Sequence, residues 1–180
     1  MKTKISQQSF NKPGTKAAKK NSRSKSTGKV NPPKETLTKA RKLSQFSLFS
    51  YKSADDKNII AIIDIVRTGI AFHDFENIVG KTPFSMAEWA TYLQLSERTI
   101  QRNQKEGRPF QPIQSERIVE LVMLYNYGVE VFGDKENFNI WLNSKSIALG
   151  GKAPKEFLDT MFGVGMIKDE LGRIEHGVLA

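Results

Sequence analysis

Three features of the sequence predict an all-α fold. Apolar residues recur at i, i+3 and i+4 through most of residues 56–176, and strand-like alternation is nowhere sustained. Ser, Asp or Pro stands at the start of several of these runs, and Gly closes most of them. Asp55-Asp56 opens the first run, where Ile59, Ile60, Ile62, Ile63 and Val66 are apolar around most of the cylinder; this predicts a buried helix stopping near Gly69. Phe72–Val79 is a short second helix ended by Gly80. Ser85-x-x-Glu88 has capping-box spacing, in which Ser85 accepts from the backbone N–H three residues on and Glu88 reciprocates; it starts a helix through Leu93. Ser96 caps the next helix, which ends at Gly107. Ser115–Phe132 is the longest, with Ile118, Leu121, Val122, Tyr125, Val129 and Phe132 along one side. Asp134–Leu142, Pro154–Phe162 and Val164–His176 complete a set of about eight helices, Gly163 separating the last two.

Charge divides the chain. Residues 1–52 hold 14 of the 28 Lys and Arg against one acid, Glu35, giving +13; residues 53–180 hold the other 14 against 18 acids, giving −4. The helical part is therefore no uniformly basic nucleic-acid binder. Residues 1–42 are rich in Lys, Ser, Thr, Asn and Pro, too poor in apolar surface to offset their ordering entropy, and are expected to be disordered. Leu43–Tyr51 has enough apolar residues to dock on the helical region. The expected organisation is a disordered Lys/Ser-rich tail (1–52), a helical region (53–130) and a small C-terminal helical domain (131–180).

Several chemistries find no support. Cysteine is absent, and only His73 and His176 join the carboxylates as metal ligands, so neither a metal site nor a cofactor is expected. The sequence shows no nucleophile–base pair, suggestive carboxylate dyad or Gly-rich phosphate loop, which argues against an enzyme. No apolar stretch reaches the ~20 residues of a membrane span, and no secretory signal is visible. A cytoplasmic protein is expected.

Residues 85–107 have the pattern of a helix-turn-helix. Ala90 supplies the small contact where two helices cross, Trp89 and Leu93 face the core, Leu95 plugs the turn and Ile100 anchors the second helix. Arg98, Gln101, Arg102 and Lys105 then share the opposite face, with Thr99 beside them. Guanidiniums, an amide and an ammonium on one exposed face suit base edges and phosphates, but the same pattern also describes an ordinary solvated face. The tail adds charge for phosphates without sequence information.

The last third contains Ala148-Leu149-Gly150-Gly151-x-x-Pro154, Leu158-x-Thr160-x-x-Gly163 and Arg173-Ile174-Glu175-His176-Gly177. Physically these are a turn needing positive φ or close approach, a break and a helix end, which a compact helical cap would also contain. In their order and spacing they resemble the toxin-binding domain of the Xre/MbcA/ParS antitoxins, partners of RES-domain toxins. Arg98-Thr99-Ile100-Gln101-Arg102 looks like that family's Xre-type helix-turn-helix, and Ser115-Glu116-Arg117 like the start of its central helix. Lys145 stands where the family usually has proline. The resemblance implies a non-enzymatic inhibitor of a NAD-consuming RES-domain toxin, which covers the toxin's active-site entrance with C-terminal elements. It also implies operon repression through operator DNA, contacted by Arg98, Thr99, Gln101, Arg102 and Lys105, and a homodimer within a toxin–antitoxin hetero-oligomer. On this chain the blocking surface would comprise Gly150, Gly151, Arg173, Glu175, His176, Gly177, Val178, Leu179 and Ala180. The rival reading is a helix-turn-helix transcriptional regulator without a toxin partner.

Overall fold

A computed structural model of the chain describes residues 49–50 and 56–178; the expected disordered tail, most of the segment 43–51, and Leu179 and Ala180 lie outside the described residues. Seven α-helices run through the described part: α1 (Asp56–Thr68), α2 (Phe72–Val79), α3 (Met86–Tyr92), α4 (Glu97–Glu106), α5 (Pro112–Phe132), α6 (Lys135–Asn143) and α7 (Met161–Glu175). Short 3-10 turns at Ile147–Leu149 and Pro154–Phe157 link α6 to α7. Extended pairing among the described residues is one antiparallel bridge between Ser146 and Lys152. The protein is all-α, as the periodicity predicts.

Helix α5 is the centre of the packing. Ile118, Val119, Leu121, Val122, Leu124 and Tyr125 are buried, and α1, α6 and α7 lie against the helix. On one side Phe75 meets Trp89 and Phe110 edge to face, with ring centroids 5.3 and 4.8 Å apart, and Phe84 meets Trp89 at 5.6 Å. A second aromatic group, Tyr125, Phe132, Phe138 and Trp141, packs α6 on the far end of α5. Each such side chain contributes on the order of 1.5–3 kcal/mol by burial, and edge-to-face geometry adds ~0.5–1.5 kcal/mol per pair. Phe49, within the segment expected to dock, is fully buried, and its carbonyl accepts from Asn126 Nδ2 at 2.9 Å.

Three expectations are corrected. Helix α1 is not buried: Ile59, Ile60 and Ile63 are 42, 60 and 40% exposed, while Ile62, Ile65 and Val66 pack on the core. Its main neighbour among the described residues, α5, covers one stripe of the cylinder and leaves the remaining isoleucines facing outward. Helix α5 starts at Pro112, whose fixed φ and missing N–H suit the first turn, and not at Ser115. Ser115 is instead wholly buried one turn in, where its hydroxyl accepts from Ile70 N–H at 2.9 Å and donates to the Phe110 carbonyl at 3.3 Å. Finally, Pro154–Phe162 is not a helix and Gly163 does not separate two helices. One 3-10 turn is followed by Thr160, whose hydroxyl accepts from Gly163 N–H at 3.0 Å and caps α7. Gly163 lies inside the first turn of α7.

The glycine there answers to close approach, because a Cβ on Gly163 would overlap the backbone carbonyl of Phe157. Gly165, two residues on in the same helix, faces open space. Gly163→Ala is therefore expected to destabilise the fold by roughly 1–3 kcal/mol through overpacking. Gly165→Ala is expected to be neutral or to stabilise it by ~0.5–1 kcal/mol through helix propensity. Thermal melts followed by circular dichroism read the two opposite signs.

Candidate DNA-reading helix and partner-binding surface

The turn between α3 and α4 is built by backbone hydrogen bonds. Leu95 N–H reaches the Ala90 carbonyl at 2.9 Å and Gln94 N–H the Thr91 carbonyl at 3.0 Å, the paired closure of a Schellman cap. Glycine normally takes the left-handed position of that cap; here Gln94 takes it, with φ +53°. At the start of α3, Glu88 N–H donates to Ser85 Oγ at 3.2 Å and Ser85 N–H to Glu88 Oε2 at 2.8 Å, the predicted capping box. Burial alone would raise the Glu88 carboxyl, but hydrogen bonds from Ser85 and Lys155 outweigh it and hold the group below its ordinary value.

Helix α4 lies with Ile100 buried beneath it and Ser96 capping the Thr99 N–H at 3.2 Å. Arg98, Gln101, Arg102 and Lys105 are exposed, and none of their four side chains makes a hydrogen bond or ion pair among the described residues. Thr99 differs: it is half-buried and its hydroxyl is 2.9 Å from Ser96 Oγ, so it serves the cap. Gln104 donates to Glu76 at 2.9 Å, which ties α4 to α2. Chemically, α4 presents three cations and an amide with their donors available.

In the C-terminal part, Gly150 and Gly151 have φ +68° and +78°, with nothing near where a Cβ would stand. Positive φ, not close approach, is what requires them. Gly151 N–H closes the turn on the Ser146 carbonyl at 2.8 Å. Residues Arg173–Gly177 form another Schellman cap: Val178 N–H reaches the Arg173 carbonyl at 2.9 Å and Gly177 N–H the Ile174 carbonyl at 3.1 Å, with Gly177 at φ +64° and His176 at the C-cap.

The charged residues expected to meet a partner have partners within the chain. Arg173 pairs with Glu170 at 2.6 Å, and Tyr127 donates to Glu175 at 2.6 Å. The hydrogen bond to Glu175, followed by burial and that residue's charge, pushes the Tyr127 phenol up to about 12. Tyr127, Lys168, Arg173, His176 and Val178 line an open recess of ≈ 510 Å³ at this end. The structure places the Gly150-Gly151 turn and the Arg173–Val178 end on separate elements, both at the surface.

Two features were not read from the sequence. Ile147 and Phe162 are 97 and 94% exposed, beside Met161 at 75% and Ile140 at 66%. Thr160-x-x-Gly163 as an N-cap would have signalled that Phe162 sits in an outward first turn. Arg117 carries the second: its side chain is 11% exposed, Nη1 pairs with Glu120 at 2.6 Å, Nη2 donates to the Leu158 carbonyl at 2.5 Å and Nε to the Tyr92 carbonyl at 3.4 Å. No local pattern announces a contact across 41 residues. Among the described residues no group of three or more His, Asp and Glu could hold a metal ion, and no helix is long and apolar enough to cross a membrane.

Comparison with known proteins places both regions. Residues 61–123 match the model of the antitoxin Xre-like helix-turn-helix domain, and residues 128–177 that of the antitoxin Xre/MbcA/ParS C-terminal toxin-binding domain. The chain is 28% identical over 120 residues to an "Antitoxin Xre" of Yersinia enterocolitica, covering 66% of this chain and 81% of that one. It is 26% identical over 141 residues to a "Prs ADP-ribosylating antitoxin" of Sphingobium sp., covering 73% and 89%. An "Antitoxin Xre" of Photorhabdus laumondii is 26% identical over 117 residues, covering 64% and 79%. With α4 inside the first match, and both the Gly150-Gly151 turn and the Arg173–Gly177 cap inside the second, the chain belongs to the Xre/MbcA/ParS-type antitoxins of toxin–antitoxin systems.

Proposed function

We propose that this antitoxin neutralises a NAD-consuming RES-domain toxin by covering its active-site entrance with the C-terminal domain, and represses its own operon through α4. The carrying observation is the toxin-binding domain match over residues 128–177, together with the two glycine-closed turns it contains. The Sphingobium relative is named for ADP-ribosylation, a chemistry that draws on NAD. On this reading the chain is an inhibitor rather than an enzyme, works in the cytoplasm, and needs no cofactor. Gly150, Gly151 and the end from Arg173 through Ala180 form the blocking surface. Because Arg173 and Glu175 are already paired, the exposed Val178, Ile147 and Phe162 supply the apolar contact. Arg98, Gln101, Arg102 and Lys105 contact operator DNA, with Thr99 setting the helix start. The exposed donors on α4 favour this over a regulator that lacks a toxin partner only in combination with the second domain.

Co-expression with the product of the adjacent gene tests the first half. The full chain is expected to rescue cells from that product and co-purify with it, whereas a chain truncated after Arg173 stays folded and fails to rescue; rescue by the truncated chain would falsify the C-terminal plug. Arg98→Ala with Arg102→Ala is expected to abolish the gel shift of promoter DNA while leaving rescue intact. A normal shift by this double variant moves the DNA contact elsewhere.

We also propose a homodimer through α1. Ile59, Ile60 and Ile63 are exposed on α1 beside a groove lined by Ile62, Ile63, Val66, Val119 and Met123, to which α1 also contributes Arg67 and α5 Glu116. A two-fold axis brings the exposed isoleucines of one copy into the groove of the next and Arg67 opposite Glu116, which is self-complementary. Two copies also suit the paired half-sites of helix-turn-helix operators. Ile60→Asp is expected to halve the mass measured by light scattering without loss of helix content; an unchanged mass removes α1 from the interface.

A further inference from the structure

Three polar contacts join the helix-turn-helix region to one short strip of the toxin-binding domain, and a fourth, from Arg117 to Tyr92, ties that junction back to α3. Lys155 Nζ reaches Glu88 Oε1 at 3.3 Å, and Tyr92 Oη donates to the Lys155 carbonyl at 3.2 Å. From α5, the Arg117 guanidinium donates with Nη2 to the Leu158 carbonyl at 2.5 Å and with Nε to the Tyr92 carbonyl at 3.4 Å. Residues 155–158 thus hold α3 at its first turn and its last. After α3 the chain passes through the Leu93–Leu95 turn into α4, the proposed reading helix. On the other side of the strip, Thr160 caps α7, the helix that ends in the Arg173–Gly177 cap.

Apolar packing does not seal this seam. An open cleft of ≈ 410 Å³, lined by Tyr92, Leu93, Gln94, Arg117, Asp159 and Met161, runs along it. Where packing is incomplete, the spacing of two elements is set by the hydrogen bonds that cross between them. A planar guanidinium addresses two carbonyls at once and in fixed directions, which an ammonium on a flexible stem does not.

We propose that Arg117 is a positioning residue which couples the toxin-binding domain to the reading helix: a toxin seated on the C-terminal domain fixes the 155–158 strip, and Arg117 passes that constraint through Tyr92 to α3 and α4. The inference rests on the proposed function, and it adds which residue links the two activities and by what contact. Coupling of this kind is a free energy shared by two sites, so toxin raises operator affinity and operator DNA raises toxin affinity by one factor.

The test uses the full chain, the purified product of the adjacent gene and a duplex from the promoter. In the wild type, toxin is expected to slow amide hydrogen exchange across residues 93–106 and to tighten operator binding at least about fivefold. Arg117→Lys, which keeps the charge beside Glu120, is expected to bind toxin and DNA singly with affinities within about twofold of wild type yet to lose both responses. Tyr92→Phe deletes only the bond to the Lys155 carbonyl and is expected to weaken the coupling partway; it serves if Arg117→Lys proves unstable. Wild-type-like coupling in both variants overturns the proposal, as does a wild-type complex that forms without protecting α4. A wild-type chain that binds no toxin overturns instead the proposed function.

Discussion

Burial along α5 is the constraint on which the other helices depend. At 21 residues it rises about 31 Å, and its apolar side chains continue from Ile118 to Phe132, too long a row for any one neighbour to cover. The helix-turn-helix match ends at residue 123 and the toxin-binding match begins at 128, so the two regions divide a single helix between them. Gly128 marks the handover. A Cβ there would overlap the ring of Phe138, so its absence lets α6 lie directly on α5 and brings Tyr125, Phe132, Phe138 and Trp141 together. A shared central helix makes the core of each region incomplete without the other, and their relative placement becomes a property of the fold and not of a linker.

Within that frame, the polar groups sort into those the fold uses and those it leaves available. On α4, Thr99 and Gln104 serve the cap and the contact to α2, while Arg98, Gln101, Arg102 and Lys105 keep their donors. At the C-terminal end the order is reversed. Arg173 and Glu175 are held by Glu170 and Tyr127, and the apolar Val178 is left exposed beside His176. Replacing an exposed ion pair with another across an interface gains little, because surface pairs are worth roughly 0–1 kcal/mol. Desolvating a large apolar side chain in a partner's pocket gains more. The proposed DNA surface is therefore polar, and the proposed toxin surface adds exposed apolar side chains.

Local signals were legible in the sequence wherever their physics is local. The Ser85–Glu88 box, the Ser96 and Asp134 caps, the paired glycines at 150–151 and the buried face of Ile118–Tyr125 are each dictated by residues within one or two turns. The misplaced boundaries share one cause: a residue type with two uses. Ser115 reads as a helix start because serine caps helices, yet a buried hydroxyl also bonds backbone groups, here those of Ile70 and Phe110. Gly163 reads as a break because glycine ends helices, yet it also admits a carbonyl at close range. The burial of α1 depended on how many neighbours surround it, which periodicity does not contain. Arg117 was invisible for the same reason: its acceptors lie 25 residues before it and 41 after.

On the proposed function, the charge split acquires a division of labour from this arrangement. Residues 53–180 carry −4, so at long range they do not draw in DNA. At physiological ionic strength, however, exposed charges are screened beyond about 8 Å, and what a phosphate meets at contact is the local face of α4. That face is cationic because Arg98, Arg102 and Lys105 are unpaired, whereas Glu106 is drawn aside by Arg108 at 2.7 Å. Selectivity then belongs to directional donors on a rigid helix, and long-range attraction to the +13 of residues 1–52, whose contacts with phosphate are sequence-independent. On that proposal, the net charge that attracts DNA and the directional donors that select it belong to different parts of the sequence.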